Sequence, residues 1–216
     1  MNNNQDNRLS EEKCITASCS IRNQVIYINS KPVFQNKELP ISGFLDKAYQ
    51  HFDIRYPKFY KMDNLSKLGL LCTDIMLKEN FKAGNYQPDE TGIVLMNASA
   101  SLDTDIKYYK TVSDIASPAL FVYTLPNIVI GEICIRNNFK GENAFFVFKQ
   151  FDATFMTRYV NNLFDSNVIQ ACICGWIELL EENCSLVLLL VEKQKANHSI
   201  TFTEDNINKI YRVENG

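Results

Sequence analysis

The chain has 216 residues, 46% of them apolar, which is enough to bury one substantial core and fits a single domain. Its net charge of −3 comes from basic and acidic residues interleaved along the chain, which excludes the clustered Lys and Arg of a nucleic-acid interface. Seven cysteines without small-scaffold spacing exclude a disulfide framework and are expected to stay reduced.

Residues 1–12 are polar and lack an apolar centre. They read as a disordered lead-in rather than a secretory signal, with residues 13–216 as one domain and a cytoplasmic location expected. The longest apolar run, Leu186 to Val191, is too short to cross a bilayer. Residues 14–20 and 24–29 read as strands, and a helical piece around Leu45 and His51 is followed by a segment that Pro57 breaks. Leu65, Leu68, Leu71, Cys72, Ile75 and Met76 have the spacing of an amphipathic helix capped by Asp63 or Asn64, with Cys72 in the core. The near-continuous apolar run of residues 92–98 suits a central strand covered on both faces. The Ser-rich stretch after it, Ser99 to Asp103, lies at the carboxyl end of that strand. Open α/β sheets bind ligands there, a plain polar connection being the alternative. A helix over 105–114 is expected to turn Tyr108, Tyr109 and Val112 inward.

Pro126 and Asn127 open the next helix, whose Ile130, Ile133 and Cys134 share a face. A Gly141-Glu142-Asn143 turn leads to a strand over 144–148, then to Gln150, then to a helix over 152–164 with Met156, Tyr159, Val160 and Leu163 in register. A strand over 168–174 completes a right-handed βαβ unit, so parallel pairing is expected. Cys172 and Cys174 share one face of that strand and read as core, because a structural metal site needs about four ligands and no second pair is near. Residues 173–180 and 184–192 form a hairpin, and 199–203 and 204–211 read as a last strand and a frayed helix.

Ser117-Pro118, Leu120-Phe121-Val122, Leu125-Pro126-Asn127 and Gly141-Glu142-Asn143, in this order before the strand, resemble the N-terminal half of β-ketoacyl-acyl-carrier-protein synthases, members of the thiolase-like superfamily. The resemblance implies an α/β thiolase-like half-fold with a mixed, mostly parallel sheet packed between helices. It also implies an acyl-accepting cysteine at the strand end. The spacing forward from Gly141 and backward from Gly175, which with Glu178 resembles the family's Gly-Gly-x-Glu strand end, meets at Gln150. A carboxamide neither attacks an acyl group nor carries a thioester. Glutamine here is the mark of the family's chain-length factors, the non-condensing partners of active ketosynthases. The plainer alternative is that Gln150 caps the start of the following helix.

Trp176 stands where the family usually has a second glycine, which alters the backbone approach expected there. The family also condenses with two histidines and a lysine from its second half, and neither His51 nor His198 matches that placement. The long insertion that separates the two halves is missing before Leu190-Val191-Glu192. The resemblance thus implies a non-catalytic partner subunit with no cofactor and no metal, in bacterial fatty-acid-like or polyketide synthesis such as that of aryl-polyene pigments. Phe148, Phe151 and Phe155, with Phe146, would line an acyl tunnel or fill the core. A half-fold exposes an apolar surface, so a full-length ketosynthase or a second copy is expected as partner, with acyl carrier protein a further one. Two rivals stand beside this reading: an acyltransferase or hydrolase using Ser99 or Ser101, and an interaction protein without acyl contact.

Overall fold

The computed structural model describes residues 12–193 and 199–215, with side chains as far as Arg212. The expected lead-in, apart from Glu12, and His198 lie outside the described residues. The chain opens with an antiparallel meander of β1 (Cys14–Arg22), β2 (Val25–Ile28) and β3 (Lys31–Gln35). Both of its turns, Asn23-Gln24 and Asn29-Ser30, have positive φ at both residues. Two-residue turns of this hand match the twist of the strands they join.

Helix α1 (Ile41–His51) and a 3-10 turn at Pro57–Lys61 lead to α2 (Asn64–Asn80), whose cap is Asp63, accepting from Ser66 N. Then come β4 (Thr91–Asn97), α3 (Leu102–Val112), the single turn α4 (Pro118–Phe121), α5 (Ile128–Asn137), β5 (Asn143–Val147) and α6 (Ala153–Asp165). The hairpin β6 (Ala171–Leu180) and β7 (Asn183–Glu192), the two-residue β8 (Ile200–Thr201) and α7 (Glu204–Asn215) finish the described chain.

The strands form one sheet in the order β3-β2-β1-β7-β6-β4-β5, with β8 also on β1. It is mixed and lies between helices, as expected, but parallel pairing is confined to β4–β5 and β4–β6. The other pairs are antiparallel: short hairpin turns make β1–β2, β2–β3 and β6–β7 so, and β7 and β8 also run antiparallel to β1. The β5–α6–β6 unit likewise differs from the simple expectation: its two strands run parallel but both pair with β4, which lies between them.

One face of the sheet carries α1, α2 and α5, which join its first core cluster, and the other carries α6 and α7 over the second. Helix α2 is buried all round rather than amphipathic, since residues 65–73 and 75–77 are shielded by the sheet beneath and by α1 and α5 above. Cys72 is fully buried, and Cys172 and Cys174 both point into the second cluster as core residues. Burial and the neighbouring Cys19 thiol hold the Cys72 thiol well above its ordinary range. No group of three or more His, Cys, Asp or Glu side chains suited to a metal occurs among the described residues. No helix among them is long and apolar enough to cross a membrane.

Helix α3 departs from expectation. Tyr109 is 78% exposed and Val112 also faces outward. Its buried residues are Asp103 and Thr104, held by polar partners: Asp103 Oδ1 accepts from Glu181 N at 3.0 Å, and Thr104 Oγ1 donates to Asp63 Oδ2 at 2.8 Å. The helix is thus fixed by its first turn, and its apolar remainder is left outside.

Candidate functional site

The site follows from the position of β4. From its carboxyl end the chain crosses one face through α5, whose Val129, Ile130 and Ile133 join the α2 core; from β5 it crosses the other face through α6, whose Met156, Val160 and Phe164 join the second core. Where successive connections leave adjacent strands toward opposite faces, the loops diverge and open a crevice. Open α/β sheets place ligands there. In this chain the two loops are residues 98–101 and 148–152.

The first loop is tightly organised. Asn97, buried at the end of β4, donates through Nδ2 to Ala100 O at 2.8 Å, and its Oδ1 accepts from Ala100 N at 3.0 Å. That reciprocal pair fixes Ala100 at a φ of 49°. Glu178, on β6 just past the end of β4, accepts from Ala98 N at 2.6 Å and from Ser99 N at 3.3 Å through Oε2. Its other oxygen, Oε1, is buried with no hydrogen-bond partner among the described residues. One residue before the end of the β4–β6 pairing stands the Gly175 expected from the motif, with φ of 153°. A Cβ at that position would collide with the Val187 carbonyl oxygen, so only glycine fits. Trp176 beside it is 5% exposed and packs into the second core.

In the second loop Phe148 N donates to Asn97 O at 2.9 Å, tying the end of β5 to the first loop. Gln150 is exposed at a bend between β5 and α6. It does not cap the helix, which disposes of the plainer alternative: Asp152 is the cap, its Oδ1 accepting from Phe155 N at 2.8 Å. A negative side chain is also the favourable occupant of that helix end.

The phenylalanines expected at the site divide into two groups. Phe148 and Phe155 lie 4.9 Å apart in one cluster with Phe146 and Tyr159, between β5 and α6. Phe151 belongs to a second group. It stacks on Tyr211 of α7 at 4.4 Å and meets the Trp176 ring near-perpendicularly at 6.3 Å. Burial, and then the charge of Glu178, raise the Tyr211 phenol above its ordinary range. The roles of Glu178 as a loop clamp and of Tyr211 as a cover were not anticipated. The first was signalled only as part of a motif, and the second lies in a stretch read as a frayed helix.

Of the two serines considered as nucleophiles, Ser101 is held in place by hydrogen bonds at the start of α3. Ser101 Oγ is within hydrogen-bonding distance of Thr124 O (2.9 Å) and Asp105 Oδ2 (3.1 Å), and the residue is buried. His51 packs against Phe34 of β3, the sheet edge opposite β5, so six strand spacings, roughly 25–30 Å, separate it from the crevice. A general base must lie within hydrogen-bond reach of the proton it takes, which excludes His51 and leaves the Asp105 carboxylate beside Ser101.

Neither a protein-family profile nor a curated protein sequence matches the chain. Solved structures do. The ishigamide ketosynthase/chain length factor superposes with a TM-score of 0.61 at 14% identity, over 88% of this chain and 64% of that one. An AntDE:AntF complex, a type II polyketide-synthase acyl-carrier protein with its ketosynthase, gives 0.58 at 12% identity, over 85% of this chain and 64% of that one. The complex of a ketosynthase (ApeO) with its chain length factor (ApeC) from Xenorhabdus doucetiae gives 0.57 at 11% identity, over 95% of this chain and 92% of the matched one. The chain thus spans 64% of the first two matched chains and nearly the whole of the third. Likeness at these identities concerns architecture, and the architecture is the thiolase-like α/β fold of the ketosynthases.

Proposed function

We propose that the chain is a non-catalytic, chain-length-factor-like partner subunit of a ketosynthase, acting on acyl chains in bacterial fatty-acid-like or polyketide synthesis of the aryl-polyene pigment type, in the cytoplasm. The observation that carries this reading is Gln150, an exposed carboxamide at the β5–α6 bend of a ketosynthase-like fold, where the resemblance calls for the acyl-accepting thiol. Among the described residues the one histidine, His51, lies at the far edge of the sheet and so does not serve condensation at this bend.

Two surface features support a partner. Strand β5 is the last in the sheet and pairs only with β4 among the described residues, so its outer backbone groups are open to another strand. Beside the chain that leads to it, Tyr109, Ile115, Phe121, Val122 and Leu125 are all exposed. Exposed apolar area of this kind marks interaction surfaces. Similar structures that pair a ketosynthase with its chain length factor favour a full-length ketosynthase over a second copy as the occupant. Acyl carrier protein would then meet the assembled pair.

The test is purification of the tagged protein from its own cells, with identification and stoichiometry of whatever stays bound. A full-length ketosynthase at a fixed ratio, lost when Phe121 and Leu125 are both changed to Asp, is the expected result. Recovery of the protein alone, as monomer or self-dimer, would overturn the proposal.

A further inference from the structure

A cavity of about 530 Å³ lies where the carboxyl ends of α2 and α5 meet the chain that leaves α1. It stands at the opposite end of β5 from Gln150, because α5 delivers the chain to the amino end of that strand. Its apolar walls are Phe52, Ile54, Leu77, Phe81 and Phe139, and its charged groups are Arg55, Lys78 and Arg136 against Asp53 and Asp74. Lys78 and Arg136 occupy the last turns of their helices, where the helix dipole favours a cation. That accounts for the charges but not for the apolar walls beside them.

Arg136 is the fixed point of this cavity. Its Nε donates to Asp74 Oδ2 at 3.0 Å, its Nη1 donates to Arg55 O at 3.4 Å, and the guanidinium lies 5.2 Å from the centre of the Tyr56 ring. The group is held in place, yet its remaining Nη hydrogens have no hydrogen-bond partner among the described residues. Paired N–H groups of a guanidinium fit a carboxylate bidentately. Lys78 forms no ion pair among the described residues, and Arg55 meets Asp53 only where both are largely exposed and solvent screens them. Three cations against two carboxylates leave a place for one further negative charge. A monoanion suits that surplus better than a phosphate dianion.

We infer that this cavity binds a small carboxylic acid with a flat aromatic body, the carboxylate on the Nη hydrogens of Arg136 and near Lys78, the ring against Phe52, Phe81 and Phe139. Phe81 and Phe139 already meet edge to face at 5.8 Å, an arrangement that a third ring extends. The site is separate from the Gln150 crevice and does not depend on the acyl reading. Asp74 is the ligand's competitor for Arg136: burial raises its carboxyl above the ordinary 3.8, although Arg136 lowers it. Asp74→Asn, which removes that competing charge, should tighten binding roughly tenfold. Arg136→Gln should weaken it by roughly tenfold or more.

The test is calorimetric titration of the full-length protein and its variants with 2-naphthoate, its neutral counterpart 2-naphthylmethanol, and inorganic phosphate, the fold of each variant being checked by circular dichroism. The expected result is saturable binding of naphthoate at one site, with the alcohol and phosphate weaker by roughly tenfold. Should Arg136→Gln unfold, the exposed change Lys78→Gln replaces it, with a loss of about threefold expected. Absence of heat with naphthoate, equal affinity for acid and alcohol, or phosphate bound as tightly as naphthoate would overturn the assignment. So would naphthoate binding that Arg136→Gln and Lys78→Gln both leave unchanged, or that Asp74→Asn weakens.

Discussion

The two faces of the sheet are built differently. Under α1 and α5, helix α2 is buried all round, and its Gly69 is so close to α5 that a Cβ would collide with Val129. That face is close-packed around α2, and several of its rings, Phe44, Tyr49 and Phe59 among them, are fully or nearly fully buried in it. On the other face α6 and α7 form a single layer, and its partly buried members are mostly rings: Phe146, Phe148, Phe151, Phe155, Tyr159 and Tyr211. Close packing of fully buried side chains around α2 leaves little room for change, whereas half-buried rings at a loop can be displaced at modest cost. The division assigns stability to the first face and the candidate site to the second.

The largest effect is therefore expected in α2. Leu70→Ala removes a fully buried side chain and should cost about 2–5 kcal/mol, read as a fall in the urea midpoint at unchanged slope. On the other face Phe155→Ala removes a half-buried ring in contact with Phe146, Phe148 and Tyr159, and should cost about 1–2 kcal/mol. Equal losses at the two positions would abolish the distinction between the faces.

The same contrast governs how much the sequence revealed. Helix α2 was legible because Leu65, Leu68, Leu71 and Cys72 repeat at helical spacing, although spacing alone did not tell that its remaining positions would be covered too. Strand β3 was not read: Lys31, Pro32 and Gln35 lack alternation, and it forms only as an exposed edge held by the β2 turn. The outward turn of Tyr109 and Val112 depends on Asp103 and Thr104 finding Glu181 and Asp63, partners far along the chain that no local pattern announces. At the candidate site, motif spacing singled out Gln150, Gly175 and Glu178. The contact of Phe151 with Tyr211 joins segments on either side of a whole hairpin, and only the folded sheet brings them together.

A smaller effect is expected at Asp63, where the close-packed face meets α3. Its carboxylate caps α2 and accepts from Thr104, so Asp63→Ala should cost about 1 kcal/mol. Burial is the main cause that raises its pKa above the ordinary 3.8, outweighing the hydrogen bonds from Ser66 and Thr104 that lower it. The folded state therefore holds this proton more tightly than the unfolded chain does. That contribution to stability is fully present below the unfolded value and is lost as pH rises through the folded one. Asp63→Asn keeps a capping oxygen and removes the titration. Its stability relative to the unaltered protein should improve as pH rises above about 4, the ordinary value, and a difference independent of pH would show that Asp63 titrates as in the unfolded chain.

The smallest effect is expected at Gln150 itself. It is exposed, Asp152 performs the capping, and its amide makes no hydrogen bond among the described residues, so Gln150→Cys should change stability by no more than about 0.5 kcal/mol. The new thiol would stand near the positive end of α6, which favours thiolate, but beside the Asp152 carboxylate, which opposes it. It should react with iodoacetamide faster than the seven native cysteines, which are buried or half-buried. It should not confer condensing activity, because a thiolate without a proton-transferring partner supplies only one part of that chemistry. A loss well above 1 kcal/mol in Gln150→Cys would instead make the glutamine a structural residue of the loop, and its exposed position would then no longer argue for a site that has kept its geometry and given up its nucleophile.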